Sequence, residues 1–275
     1  MAPSDPTWNF QDPASKERVL NVLEGEMDAM FQLMDDPARW ESPTACEKWQ
    51  ARDVVGHLVD TTEGYLPAFA GARDNAAADE PLGLRDMAEL VDQGARGLRE
   101  VPREELIGRL RDDSVTMIAD FKALSADEWA SLMVPHKYMA PLPAMFYPMF
   151  QIVDYAVHGW DIREGMRTPH AMSGDAADLL VPVIFVLWSA TADVSAVDRP
   201  YTVGIRTTGH NGGDMRADVS SDGVQFSPGN IDDCDVVLEF DPATLVLTGY
   251  ARINGGTARG DEEVASKFRD LFFPI

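Results

Sequence analysis

The sequence predicts two folded parts of different class: an all-α helix bundle over residues 1–172 and a small α+β domain over residues 173–275. Three observations carry this. Through the first 170 residues, long stretches repeat their apolar positions at helical spacing. After "MRTPHAMSGD" the pattern changes, and "YTVGIRTTG", "MRADVSSDGVQFS" and "DVVLEFD" alternate apolar with polar residues between Gly/Asn/Asp turns. The chain is 275 residues long and 45% hydrophobic, enough for one large core or two ordinary ones.

Taken in order, residues 1–14 are rich in Pro and Asp and read as a loosely held arm. From Ser15 to Met34, Val19, Leu20, Leu23, Met27, Met30 and Phe31 define one amphipathic helix. "DDPARWESPTACEKW" is a loop by its prolines and polar residues. A second helix runs from about Ala51 to Phe69, and "GARDNAAADEPLG" is the loop after it. Residues 84–98 and 103–124 read as helical. "VPHKYMAPLPAMFYP" holds too many prolines for a helix interior. "MFQIVDYAVHGWDIREG" has the apolar density of a buried helix that Gly165 would stop. About four main helices in this part make a bundle. A further helix covers roughly 174–193, and the alternating runs that follow are read as antiparallel strands. Asp241 and Asp261 are expected N-caps of two short helices, with Pro242 at the first position of one of them. "HNGGD" and "NGGTARGD" are read as hairpin turns.

Composition excludes several classes. The formal net charge is -23, and no basic patch with interleaved aromatics is present, so neither nucleic acid nor an anionic membrane surface is an expected partner. No run of about 18 apolar residues suggests a transmembrane helix. "MAPSDPTWNFQDP" lacks the basic and apolar regions of a signal peptide. Cys46 and Cys234 lie far apart and carry no metal-site spacing, which suits a reducing cytoplasm. Small molecules are the expected partners, and the chain is expected to be a monomer or homodimer.

The chemistry is sought in histidines. "DVVGHLVDTTEGY" puts His57 on an apolar-faced helix, where it is either a core histidine satisfied by one hydrogen bond or a ligand. In "QIVDYAVHGWD", Asp154 and His158 stand four apart and project from one helix face. Such a pair either shares a metal ion or is a hydrogen-bonded surface pair. With His57 from a neighbouring helix it would complete two His and one carboxylate, a set used for catalytic Zn²⁺ and other divalent ions. Asp161 would orient a ligand imidazole through its second nitrogen, or pair with Arg163 or Arg167 on the surface. Trp49 and Trp160 are read as packing anchors rather than pocket walls, the Met-rich "YMAPLPAMFYPMF" as core, and His136, His170 and His210 as surface residues. Cys46 is read as a buried structural thiol.

The stretch "RWESPTACEKWQARDVVGHLVD" resembles the start of the DinB-like, mycothiol-dependent maleylpyruvate isomerase family, in which a Trp-containing loop leads into a helix with a metal-binding His. "DYAVHGWDIREGMRTPH" resembles that family's second metal helix. The tail "LVLTGYARINGGTARGDEEVASKF" is similar to the small domain joined to such bundles, which resembles sterol carrier protein 2. The resemblance implies a DinB-like four-helix bundle followed by an SCP2-like α+β domain, with His57, Asp154 and His158 as ligands of a divalent metal, Zn²⁺ first. It implies mycothiol or a similar low-molecular-weight thiol as cofactor. Two departures stand out. The family pattern has Glu where this chain has Asp154, one methylene shorter. Family members place Arg after the Gly of a "TGR"-like segment, whereas "LTGYAR" has Tyr250 there and Arg252 two residues later. Arg252 is the first candidate to hold a substrate carboxylate, with Arg206, Arg216 and Arg259 as alternatives.

The implied activity is that of a metal-dependent, thiol-dependent isomerase or S-transferase on a small electrophilic substrate. For an isomerase, thiolate addition to a double bond, rotation and elimination give the trans product. For a transferase, the adduct leaves. The departures and the Met-rich segment favour a secondary-metabolite substrate over the catabolic one. The competing reading is a non-catalytic carrier of small hydrophobic ligands that has lost its metal site.

Overall fold

The computed structural model describes residues 5–275, so the first four residues of the expected N-terminal arm lie outside the description. Packing divides the chain into two compact units. One is Asn9–Met172; the other is Ser173–Ile275 together with the described residues up to Trp8.

In the helical unit, α1 (Lys16–Met34) buries Val19, Leu20, Leu23, Met27 and Met30 along one face. That face lies against α6 (Phe146–Gly165) and α4 (Arg103–Ala123). Between them in sequence, α2 (Ala51–Arg73) packs on α4, on α3 (Met87–Gly97) and on α6. The second helix runs one turn beyond its expected end at Phe69, to Arg73, and contains Pro67, whose ring is tolerated on the exposed face. The arm is not loose over its described part. Short 3₁₀ turns form at Pro6–Trp8 and Pro13–Ser15, and Phe10 is fully buried. Its carbonyl accepts from the Trp129 indole at 2.9 Å.

Three small elements have no counterpart in the sequence reading. Helix α5 (Ala126–Ser131) is a six-residue turn closed by a capping box, Ser125 Oγ accepting from Glu128 N and Glu128 Oε2 from Ser125 N. Strands β1 (Met133–Val134) and β2 (Leu142–Pro143) then pair antiparallel inside the proline-rich stretch. The Met-rich segment is core: Met145 and Met149 are buried with Tyr147.

In the other unit, α7 (Gly174–Thr191) starts at the Ser173 cap. Among the described residues it is the one helix long and apolar enough to cross a membrane, and more than half of it is buried. A five-stranded sheet follows, made of β3 (Tyr201–Thr207), β4 (Gly213–Ser220), β5 (Gly223–Pro228), β6 (Val236–Phe240) and β7 (Thr257–Gly260), in the order β5-β4-β3-β6-β7. The expectation of purely antiparallel strands is corrected at one place: β6 lies parallel to β3, with Val203 opposite Val236 and Ile205 opposite Leu238. The "TARG" of the expected hairpin turn is instead β7, paired antiparallel with β6. Helices α8 (Pro242–Gly249) and α9 (Glu262–Arg269) carry Asp241 and Asp261 as N-caps, each accepting backbone N–H groups.

Candidate functional site

The first turn of α2 is held from several sides. Asp53 is fully buried and accepts from Gln50 N at 2.8 Å, closing the helix start. The Arg99 guanidinium meets both Asp53 oxygens, Nε at 2.6 Å and Nη2 at 2.7 Å. Just before the helix, Trp49 donates its indole N–H to Asp92 at 2.9 Å. One turn after Asp53 comes His57, whose position is thereby fixed.

The facing side is the last half of α6. Gly165 at its end lies directly against Pro43 and Thr44 of the loop before α2, where a Cβ would clash with backbone. Ala45 N donates to Asp161 O at 2.9 Å. The loop and the helix are therefore joined backbone to backbone, which brings Cys46 and Trp49 to the face that bears Asp154 and His158.

There the side chains converge. His57 Nε2 lies 3.2 Å from Asp154 Oδ1, and the His57 and His158 rings stand 5.0 Å apart, nearly perpendicular. One ligand atom from each of His57, Asp154 and His158 lies within 4.8 Å of the others. The histidines are buried and the carboxylate is half-buried. Each imidazole is steadied through Nδ1 by its own helix: Thr61 Oγ1 at 3.4 Å for His57, Asp161 Oδ2 at 2.8 Å for His158. A ring steadied through Nδ1 would meet an ion through Nε2, the usual division of labour in a metal-binding histidine. The donor set passes a simple test of fit. Ligand atoms about 2.0–2.1 Å from a tetrahedral ion stand about 3.4 Å apart, close to the 3.2 Å between His57 and Asp154. The shorter carboxylate thus still reaches its partner.

The buried Asp161 carboxylate is at His158, whereas Arg163 donates to Gly159 O. The same Oδ2 accepts from Cys46 Sγ at 3.2 Å. Cys46, His158 and Asp161 form a second group with donor atoms within 4.8 Å. Because thiol and imidazole both meet the carboxylate, this group supports the first from behind.

Three readings change here. Cys46 is half-buried and bonded to a site carboxylate, not an enclosed structural thiol. Trp49 is a wall of the site, its ring 5.3 Å from His57 and 5.5 Å from His158. The surface assignment of His136 fails, since only 8% of it is exposed. The one signal of Thr61 in the sequence is its place four residues after His57 on the same helix face. Of the arginines, Arg206 is paired with Asp214 and Glu239, and Arg216 with Asp218 and Asp233. Arg252 Nη1 donates to the carbonyl of Tyr250 at 2.9 Å, and Arg259 lies on the exposed strand β7.

A helix bundle that presents two imidazoles and one carboxylate to a common point defines the class. The chain belongs to the mycothiol maleylpyruvate isomerase N-terminal domain family, whose profile matches residues 21–163. The crystal structure of the mycothiol-dependent maleylpyruvate isomerase superposes at a TM-score of 0.58, covering 88% of this chain and 92% of that one at 14% identity. The structure of a single-site mutant of that protein gives the same values. At this identity the likeness concerns the fold. No curated protein sequence matches.

Proposed function

We propose that the chain is a metal-dependent isomerase or S-transferase that uses mycothiol or a similar thiol on a small electrophilic, secondary-metabolite substrate. The observation that carries the reading is the convergence of His57, Asp154 and His158, with ligand atoms mutually within 4.8 Å. Family membership and the resemblance of the fold support it. A divalent ion, Zn²⁺ by donor chemistry, would favour the thiolate form of a bound thiol and so its nucleophilicity. The chain's own residues do the rest. His57, Asp154 and His158 hold the ion. Thr61 and Asp161 orient the two imidazoles, and Trp49 covers them. A cytoplasmic location fits a reduced thiol pool.

The test is metal analysis of the purified chain and of His57→Ala and His158→Ala. The wild type is expected to carry about one divalent ion per chain at a site of this ligand set. Both variants are expected to lose it while keeping the helical circular dichroism. Full metal retention in both variants would end the reading, and a metal-free wild type would leave a ligand carrier in its place.

A further inference from the structure

His136 lies outside the donor cluster. It lies in the loop between β1 and β2, yet it is 92% removed from solvent among aromatic rings. Ring centroids lie at 5.7 Å for Phe150, 6.0 Å for Tyr138, 6.1 Å for Tyr147 and 6.3 Å for Tyr65. Its protonation follows from one contact. The backbone N–H of Tyr138 points at Nδ1 at 3.2 Å. A backbone N–H can only donate, so Nδ1 is the acceptor and the ring proton sits on Nε2. Burial pushes the imidazole pKa down to about 4, so the ring is neutral at ordinary pH. No described residue pairs with that Nε2. A buried ring thus holds an uncharged donor with no partner among the described residues. A donor left in this way marks a place where water or a ligand completes the bond.

The cradle is continuous with the donor cluster. On α2, His57, Thr61 and Tyr65 fall at intervals of four residues, and on α6, His158, Asp154 and Phe150 do the same in the opposite direction. His57 meets Asp154, while Tyr65 meets Tyr147 with ring centroids 4.9 Å apart. The two stripes therefore run antiparallel along one seam between α2 and α6. Thr61, Tyr65, Phe150 and Asp154 along it are only half-buried. Eight helical residues separate its ends by about 12 Å.

We propose that this far end is a subsite for a conjugated or aromatic group carrying a neutral acceptor oxygen, a ketone or ether type, which stacks on Tyr65 and Phe150 and accepts from His136 Nε2. A carboxylate is not the expected occupant, because the donor is uncharged and the walls are apolar. Assigning the bound group to the substrate rests on the function proposed above; the binding itself does not. The subsite makes the preferred substrate longer than maleylpyruvate, with its acceptor about two helical turns from the reacting carbon.

The full-length chain, stripped of metal, is titrated with 2-acetylnaphthalene and with 2-isopropenylnaphthalene, which has the same shape but a methylene in place of the carbonyl oxygen. One neutral hydrogen bond predicts a ketone preference about fivefold greater in the wild type than in His136→Phe. His136→Gln, which keeps an N–H donor, retains part of it. In the wild type, a long-range ¹H–¹⁵N spectrum is expected to show the proton on Nε2, with that resonance moving on addition of the ketone and not of the alkene. Equal preference in wild type and His136→Phe, an unmoved resonance, or failure of both probes to bind would each overturn the subsite. Where the Phe variant does not fold, the wild-type spectrum decides. Loss of the metal hypothesis leaves these readouts intact, so the two can fail separately.

Discussion

Asp161 Oδ2 is the atom on which the site is balanced, since it takes both the His158 imidazole and the Cys46 thiol. Removing its charge should loosen the ring it holds. Asp161→Asn is expected to lower divalent-metal affinity by about 10–100-fold, read by competition with a chromophoric chelator, without loss of helix content. An unchanged affinity would show that Asp161 only joins the loop to α6. His136 predicts a pH effect of a different kind. Its folded pKa of about 4 lies below the ordinary 6.5, so the unfolded chain binds the extra proton between those values. The stabilisation is whole above pH 6.5 and is lost as pH falls toward 4, by on the order of 3 kcal/mol. His136→Phe should flatten that limb of the urea-midpoint profile relative to wild type. The two residues also differ in how legible they were. Asp154 and His158 announce themselves by a four-residue interval on an apolar helix, and Asp161 by continuing that face. His136 sits among prolines and polar residues, and nothing local says that Tyr65 and Phe150, far away in sequence, close over it.

At the scale of elements, α2 matters most, because its first turn sets where His57 points. Asp53 serves both as the third-position carboxylate of the capping box, accepting from Gln50 N, and as partner of Arg99, and it is fully buried. Replacing it removes the cap and leaves a guanidinium without its carboxylate. Asp53→Ala is expected to cost about 2–4 kcal/mol, seen as a lower urea midpoint at unchanged m-value. A loss under 0.5 kcal/mol would mean that the loop and α3 hold the helix start without it. The long helices were readable because apolar periodicity over twenty residues leaves little choice. The short elements were not. Helix α5 has six residues and is specified chiefly by its cap. Strand β7 is exposed at all four positions, so it has no apolar alternation to betray it. Its strand character comes from backbone pairing with β6, which is a tertiary fact. The parallel β3–β6 pair was hidden for the same reason: alternation reports which face is buried, not which way the neighbour runs.

Across the whole chain, every residue offered as ligand or ligand support belongs to the unit Asn9–Met172, and none to the unit built on the β3–β7 sheet. Each unit has its own buried residues, Leu58, Phe121 and Tyr155 in the first, Ile205, Val246 and Phe268 in the second. We propose that they are separate folding domains, and this gives metal binding a thermodynamic signature beyond stoichiometry. A ligand that binds one folded unit stabilises that unit by RT ln(1 + [L]/Kd), about 2.7 kcal/mol at a hundredfold excess over Kd. For a unit of this size each kcal/mol raises the midpoint by roughly 2–4 °C. Calorimetry of the intact chain is therefore expected to show two transitions. Zn²⁺ should move the one followed by far-ultraviolet helix signal upward by roughly 5–10 °C, and leave the other in place. The His57→Ala protein should show the same two transitions with neither moved. A single transition that shifts as a whole would join the two units into one cooperative body while keeping the metal. Two transitions that both ignore Zn²⁺ would keep the domains and remove the metal.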